Sequence, residues 1–324
     1  MKLIIQIPCF NEAETLAVTL AALPRSVPGF DRVEWLVVDD GSRDATAVVA
    51  REHGVDHVVR HRVNRGLSRA FMTGLNHCLR LGADIIVNTD ADNQYNANDI
   101  PALIRPIVEG VADIVIGARP IDVIEHFSPI KKLLQKLGSR VVRTVSGADV
   151  PDAASGFRAI SSDAARRLMV FNDYTYTLET LIQMGRKNMA VVAVPVRVNK
   201  DLRTSRLVRS TPSYVYRSIV TIIRVFMIYH PVRFFGAIGG VLLALGLAVA
   251  VRFIYFYASG AGSGHIQSLI LASILIGMGF QTMLVALVAD LLAANRVLIE
   301  DIRFTMRQTG PDHAAAVKTD PSDG

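Results

Sequence analysis

Short apolar runs alternate with amphipathic stretches through the first third of the chain. Five runs rich in β-branched residues and bounded by polar turns predict strands at Leu3–Ile7, Trp35–Asp39, Val55–Val59, Asp84–Thr89 and Asp113–Gly117. Helical spacing of apolar positions between them predicts helices at Glu12–Leu23, Asp44–His53, Leu67–Leu81 and Asn98–Glu109. Apolar strands separated by helices indicate an α/β fold with a parallel sheet covered on both faces. Such sheets bind ligands beyond the carboxyl ends of their strands, so functional residues are expected there.

The pattern changes after Gly117. The stretch Ile124–Val145 is amphipathic and carries five basic residues. It fits either a helix on a membrane surface or a core-packed helix with a solvated basic face. Beyond it, the pattern predicts a short segment ending at Gly156–Ile160, helices near Ser162–Met169 and Thr177–Arg186, and a strand at Ala190–Val198.

Two long apolar runs follow. Phe234–Val251 contains no charged residue and would span roughly 27 Å as a helix of about 18 residues. Ile266–Ala289 is longer and also uncharged, and a domain of this size has no room to bury so much apolar helix in its core. Arginines precede the first run and follow the second, at Arg203, Arg206, Arg209, Arg217, Arg224, Arg233, Arg296, Arg303 and Arg307. The loop Ala258–His265 has no Lys or Arg, so the positive-inside rule predicts that both ends are cytoplasmic.

Composition supports a membrane-associated protein. Hydrophobic residues make up 51% of the chain and charged residues only 20%, and the apolar excess is concentrated in residues 231–295. The net charge of +6 suits contact with anionic lipids or with phosphorylated ligands, without choosing between them. The two cysteines, Cys9 and Cys78, have no metal-site spacing and imply no disulfide framework, which fits a reducing cytoplasm.

Three polar motifs follow predicted strands. Asp90-Ala91-Asp92-Asn93-Gln94 has two carboxylates that could hold a divalent cation, although a solvated turn or a helix cap would look the same. The segment 8–12 could start a helix with Asn11 as its N-cap, and it lacks the glycines of a dinucleotide-binding turn. The segment 38–42 could be a turn in which Ser42 or Asp40 caps the next helix.

Taken in order, these motifs resemble the family 2 glycosyltransferases of GT-A fold. The matching segments are Pro8–Glu12, Val37–Ser42, Asn64–Gly66 and Asp90–Gln94, and the resemblance covers about residues 1–210. The two apolar runs narrow it to the polyprenyl-phosphate branch, which includes dolichyl-phosphate mannose synthases and bacterial undecaprenyl-phosphate glycosyltransferases. The implied organisation is a cytoplasmic GT-A-like domain over 1–210, a juxtamembrane helix over 211–231, a two-span hairpin over 232–295 and a partly disordered cytoplasmic tail over 296–324.

The resemblance also implies roles for individual residues. The residues implied for the nucleotide-sugar are Pro8, Asn11, Glu12, Asp39, Asp40, Gly66, Asp90, Gln94 and Arg206. Among them, Asp40 would accept from a base N–H, Gln94 would contact the donor sugar, and Asp90 with Asp92 would hold the metal. The residues implied at the reaction centre are Asp152, Asp92, Arg158 and Glu179. The residues implied for the acceptor phosphate are Arg119, Arg158, Lys136, Ser139 and Arg203.

The implied reaction is a metal-dependent, inverting transfer from a UDP- or GDP-sugar to a polyprenyl phosphate at the cytoplasmic membrane face. Mg²⁺ and Mn²⁺ both suit the carboxylates. The expected partners are the donor, the lipid acceptor and the membrane, with a homo-oligomer suggested by the family and no nucleic acid. A hydroxyl acceptor on a lipid or a lipid-linked glycan is the alternative, and it would need Asp152 or Glu179 as a base. A non-catalytic membrane scaffold is a remote one, while a processive synthase is disfavoured because the only tryptophan, Trp35, lies in no Gln-x-x-Arg-Trp motif.

Overall fold

A computed structural model describes residues 1–120, 143, 150–170, 176–199, 220, 223–224, 226–227, 230–259 and 266–308. The chain divides into two compact units. The first comprises Met1–Ser218 with Met306–Gly324, and the second comprises Ile219–Thr305.

The first unit is an α/β domain. Its strands are β1 (Lys2–Cys9), β2 (Arg32–Asp39), β3 (His57–Arg60), β4 (Ile85–Asn88), β5 (Ile114–Ala118), β6 (Arg158–Ser161) and β7 (Val191–Pro195). Its helices are α1 (Ala13–Ala22), α2 (Thr46–Glu52), α3 (Leu67–Arg80), a 3-10 turn (Ala97–Asp99), α4 (Ile100–Val108), α5 (Ser162–Arg167) and α6 (Tyr176–Arg186). The predicted strands are confirmed, and so are the predicted helices that fall within the described residues, with ends that move by up to three residues.

The sheet is mostly parallel, as expected from the alternating pattern. Its seven strands lie in the order β3-β2-β1-β4-β6-β5-β7. Only β6 runs against its neighbours β4 and β5, with Arg158 opposite Asn88 on one side and Ile116 on the other. An antiparallel strand begins where its neighbours end, so the segment before β6 lies at the carboxyl ends of β4 and β5.

Burial of the strands explains why they could be predicted from runs of apolar residues in the sequence. Every residue of β1 from Leu3 to Cys9 is buried, because helices cover both faces of the sheet. The β1 strand even contains Pro8, which has no N–H to offer a neighbour. Pairing with β4 stops at Gln6, so the missing N–H removes no hydrogen bond on that side.

Two long helices follow, α7 (Pro231–Ala258) and α8 (Ile266–Gln308), and the second unit contains α7 and the part of α8 up to Thr305. Both are long and apolar enough to cross a membrane, over Pro231–Ala258 and Ile266–Asn295. They pack closely at glycines: a Cβ added at Gly239 would lie 2.9 Å from the carbonyl oxygen of Gly279. The predicted apolar runs lie within α7 and α8, but α8 continues to Gln308, beyond the predicted end of the hairpin at residue 295. The tail after 308, most of the juxtamembrane segment 211–231, and the predicted basic stretch 124–145 except for Arg143 lie outside the described residues.

Candidate active site

The turns after β1 and β2 are bonded to each other. Asn11 has a left-handed backbone with φ +55°, its N–H donates to Ser42 Oγ (2.9 Å), and its Oδ1 accepts from Arg43 N–H (2.8 Å). Neither α1 nor α2 begins with a capping side chain. The capping interpretations of Asn11, Ser42 and Asp40 are therefore wrong. Asn11 and Ser42 bond across the two turns, and Asp40 bonds the turn that precedes α3.

A glycine in the turn after β2 allows this turn to approach the turn that precedes α3. Gly41 has φ +74°, and a Cβ built on it would lie 2.6 Å from the carbonyl carbon of Val63 and 2.7 Å from the amide nitrogen of Asn64. Both the backbone conformation and the contact exclude a side chain at this position. The turn after β2 is thereby held against the turn that precedes α3.

Asp40 is buried in that junction. Its carboxylate accepts from the backbone N–H groups of Arg65 (2.9 Å) and Gly66 (2.8 Å), and it pairs with Nδ1 of His61 at 2.6 Å. Gly66 has φ +92°, so glycine is needed at the start of α3 for its backbone conformation. A carboxylate has about four acceptor sites, so these three protein donors leave little room for a nucleobase N–H. His61 was missed by the sequence interpretation, since it lies on no periodic or recognisable motif.

Asp39 differs from Asp40 because one of its carboxylate oxygens accepts no hydrogen bond. Its Oδ1 accepts from Ser42 N–H (2.8 Å), which stabilises the turn. Its Oδ2 lies 3.0 Å from Nε of Arg60 as an ion pair, but it is buried and makes no aligned hydrogen bond. A buried carboxylate oxygen without a hydrogen bond is costly, so this atom is suited to accept from a ligand.

Asp90 and Asp92 follow β4 on a turn in which Asn93 has φ +56°. Burial, and then the charge of Asp92, raise the pKa of Asp90 to about 7, and Glu12 adds to the effect. A divalent cation would offset this repulsion. Among the described residues no group of three His, Cys, Asp or Glu side chains could hold a metal. Two carboxylates plus substrate phosphates and water are nonetheless the usual ligand set of Mg²⁺, so these residues fit a cation bound together with a diphosphate.

Arg119 and Asp152 form a bidentate ion pair beside this turn. Nε of Arg119 donates to Oδ2 of Asp152 (2.7 Å) and Nη2 donates to Oδ1 (3.2 Å). Asp152 is fully buried, and the Arg119 side chain is 12% exposed. Burial alone would lower the pKa of Arg119, but Tyr95 and Asp152 raise it above its usual value, so the guanidinium remains charged.

Arg158 is a structural part of the same corner. Its guanidinium is completely buried and donates to the carbonyls of Ser155 (2.8 Å) and Ala153 (3.1 Å) and to Thr180 Oγ1 (2.6 Å). It therefore ties the segment before β6 to α6, a placement that favours positioning over direct contact with a phosphate. Glu179, next to Thr180 on α6, is also buried.

The structure brings together the carboxyl ends of β4 and β5 and the amino end of β6. A Cβ added at Gly156 would lie 3.1 Å from both carboxylate oxygens of Asp90, so the segment before β6 contacts the Asp90 turn directly. Asn88, Tyr95 and Tyr176 also belong to this corner and were missed, although an asparagine inside the buried run of β4 was a signal that could have been used. The described residues do not include Lys136, Ser139, Arg203 and Arg206.

Comparison with known proteins agrees with this architecture. The family model for glycosyl transferase family 2 matches residues 4–169. An undecaprenyl-phosphate mannosyltransferase of Micrococcus luteus is 29% identical over 64% of this chain and 88% of its own length. A UDP-N-acetylglucosamine–dolichyl-phosphate N-acetylglucosaminyltransferase of Methanococcus voltae is 29% identical over 59% and 83%. Glucosyl-3-phosphoglycerate synthase of Mycobacterium tuberculosis, solved with Mn²⁺ and UDP-glucose, has a similar fold, with TM-score 0.56, 21% identity and coverage of 69% and 78%.

Proposed function

The chain belongs to glycosyl transferase family 2, and on that premise we propose that it transfers a sugar from a UDP- or GDP-linked donor to a polyprenyl phosphate at the cytoplasmic face of a membrane. The observation that carries the proposal is the juxtaposition of the Asp90–Asp92 carboxylates with the buried Arg119–Asp152 pair. The first suits a metal-bound diphosphate and the second suits an anionic acceptor. The relatives named as undecaprenyl- and dolichyl-phosphate transferases support the lipid acceptor, and α7 and α8 support a membrane hairpin that anchors a catalytic domain over residues 1–210.

The proposed donor site lies at the ends of β1, β2 and β4. The residues proposed for the nucleotide-sugar are Pro8, Asn11, Glu12, Asp39, Asp40, Gly66, Asp90, Gln94 and Arg206. Within this set, Oδ2 of Asp39 accepts no hydrogen bond from the protein, so Asp39 is a better partner than Asp40 for an N–H group of the nucleotide. Asp40 instead holds Gly66 and the start of α3 in place.

Asp90 and Asp92 would hold Mg²⁺ or Mn²⁺. A bound cation of this kind neutralises the charge that develops on a leaving nucleoside diphosphate. Gln94 is proposed to orient the donor sugar, because its backbone is fixed to Asp92 Oδ1 (3.2 Å) and to Asn199 N–H (2.8 Å). In-line attack opposite the leaving group inverts the anomeric carbon.

The state of Asp152 favours a phosphate over a hydroxyl acceptor. Both its oxygens accept from Arg119, and it is fully buried, so it is poorly placed to remove a proton. A phosphate monoester, whose second pKa is about 6, is already mostly dianionic at neutral pH and needs no base. Arg119 is proposed to bind the acceptor phosphate together with Lys136, Ser139 and Arg203, and Glu179 to line the acceptor side.

A product assay tests the proposal. The full chain in detergent is mixed with undecaprenyl or dolichyl phosphate, Mg²⁺ or Mn²⁺, and each member of a panel of UDP- and GDP-sugars, and the lipid fraction is analysed by mass spectrometry. We expect a new mass equal to lipid phosphate plus one sugar, lost on addition of EDTA. Nucleotide release without this lipid product would refute the polyprenyl-phosphate acceptor and favour a hydroxyl acceptor.

A further inference from the structure

We propose that Tyr95 and Asn88 are positioning residues that clamp the Gly156 peptide groups against Asp90. Through this clamp they would fix the position of the Asp90 carboxylate, where the donor diphosphate and its cation are proposed to bind. The inference rests on the proposed donor site, but not on the identity of the acceptor.

The clamp grips both backbone groups of one residue. The N–H of Gly156 donates to the phenol oxygen of Tyr95 (3.0 Å), and the carbonyl of Gly156 accepts from Nδ2 of Asn88 (2.8 Å). Asn88 and Tyr95 lie on either side of the Asp90–Gln94 turn in the chain. The turn that carries the two carboxylates is thus bonded at both its ends to the segment before β6.

Gly156 faces Asp90 with no side chain between them. An added Cβ would lie 3.1 Å from each Asp90 oxygen and 3.0 Å from the phenol oxygen of Tyr176. A side chain at position 156 would therefore crowd the Asp90 carboxylate, and glycine leaves that space to it.

Packing makes the clamp rigid. The ring of Tyr95 stacks on Phe157 with centroids 5.0 Å apart, and the ring of Tyr176 stacks on Phe71 at 4.0 Å. Asn88 is buried, and its Oδ1 accepts from Nε2 of Gln6 (2.9 Å). Buried side chains whose polar atoms are paired keep a single arrangement, which is what a metal-binding carboxylate requires from its surroundings.

The clamp also couples the two charged halves of the site. Gly156 belongs to the segment that carries Asp152, the partner of Arg119. Movement of this segment would shift Asp90 and Arg119 together. We therefore expect loss of the clamp to weaken cation-dependent donor binding and to slow transfer, whereas loss of an equally buried apolar group elsewhere should change only stability.

Tyr95→Phe is the decisive variant, because it removes the phenol oxygen and keeps the ring that stacks on Phe157. Binding of UDP and GDP to the full chain is measured by calorimetry across a Mn²⁺ titration, and kcat is measured where turnover is found. We expect the Mn²⁺ requirement of nucleotide binding to rise roughly three- to tenfold, as for loss of one buried hydrogen bond. Gly156→Ala should have a larger effect, about a hundredfold on kcat, because it displaces the carboxylate itself.

Two controls separate positioning from stability. Ile100→Val removes one methylene from a fully buried core residue outside the site, and Tyr257→Phe removes an exposed phenol from α7. Both should keep the Mn²⁺ requirement of the unchanged chain, even where Ile100→Val lowers the melting temperature as much as Tyr95→Phe does.

Each outcome bears on the inference. An unchanged Mn²⁺ requirement and kcat in Tyr95→Phe would overturn it, as would an equal change in Ile100→Val. A chain that forms no lipid product, yet binds nucleotide with a Mn²⁺ requirement that rises in Tyr95→Phe, would refute the proposed acceptor and support the clamp. A chain that binds neither nucleotide in Mn²⁺ would contradict both.

Discussion

Replacing Asp152 by asparagine should lower the free energy of unfolding of the α/β unit. We expect this loss of stability, and not the loss of a general base, to be the main effect of the substitution. The change keeps the size of the side chain but removes the charge that faces Arg119. The Arg119 side chain, only 12% exposed, would then have lost its bidentate partner while it remained almost fully buried. Because the pair is bidentate, with donor–acceptor distances of 2.7 and 3.2 Å, asparagine can replace at most one of the two bonds without repelling an N–H.

The size of the effect follows from this burial. Two unit charges about 4 Å apart interact by about 4 kcal/mol at an effective dielectric constant of about 20. Breaking a buried pair by removing one partner costs about 3–5 kcal/mol of unfolding free energy, because one charge is left uncompensated. Replacing both partners by apolar residues of similar volume, in Arg119→Met with Asp152→Leu, should cost less than about 2 kcal/mol. In a cycle of Arg119→Met, Asp152→Leu and the double variant, two single losses of about 3 kcal/mol or more against a double loss below about 2 kcal/mol give a favourable coupling of at least about 4 kcal/mol.

Urea unfolding followed by tryptophan fluorescence measures these free energies. Trp35 is the only tryptophan of the chain, it is buried on β2, and it reports on the α/β unit alone. Additive effects of the single substitutions would refute the buried ion pair as the main role of Asp152. So would an Asp152→Asn variant of normal stability with no activity, since that combination is expected of a general base.

Three further predictions concern other parts of the site. Asp92→Ala should abolish turnover if Asp92 holds the metal, while the melting temperature changes little because the Asp92 side chain is only partly buried; near-normal activity would refute the metal assignment. Burial and Asp92 raise the pKa of Asp90 from its ordinary 3.8 to about 7. Without metal, the contribution of Asp90 to the free energy of unfolding should therefore be most favourable below pH 4 and should fall as the pH rises to about 7. Mn²⁺ should reduce this fall in stability, and Asp90→Asn should abolish it. Gly41→Ala should lower the melting temperature more than Gly110→Ala, because both have φ near +70° but only a Cβ at Gly41 meets backbone, at 2.6 Å from Val63; equal losses would show that the contact is unimportant.

The parts of the fold that were predictable are those that depend on local burial. Strands β1 and β2 are continuous apolar runs because helices cover both faces of the sheet, and their carboxyl ends could be located to within two residues. The position of Asp90 and Asp92 at the end of β4 followed from the same reasoning. These features require only the order of residues along one segment.

The parts that were not predictable depend on contacts between distant segments. Asn11 looked like a helix cap because capping is a local preference, yet its side chain bonds Arg43, 32 residues away. Asp40 looked free to bind a base, yet three of its roughly four acceptor sites are taken by Arg65, Gly66 and His61, which lie 21 to 26 residues away in the chain. No local pattern encodes such partners.

The direction of β6 has the largest consequence for the site, and it too lies outside local pattern. Asp90 follows β4, Arg119 follows β5, and Asp152 and Gly156 precede β6. Residues that follow two strands and precede a third can meet at one edge only if the third strand runs the opposite way, as β6 does. A parallel β6 of the same four residues would carry Gly156 about 13 Å away, to the other edge of the sheet. The bond from Gly156 to Tyr95 and the pair between Arg119 and Asp152 would then be impossible, so one reversed strand is the structural condition for bringing the Asp90 turn next to the Arg119–Asp152 pair.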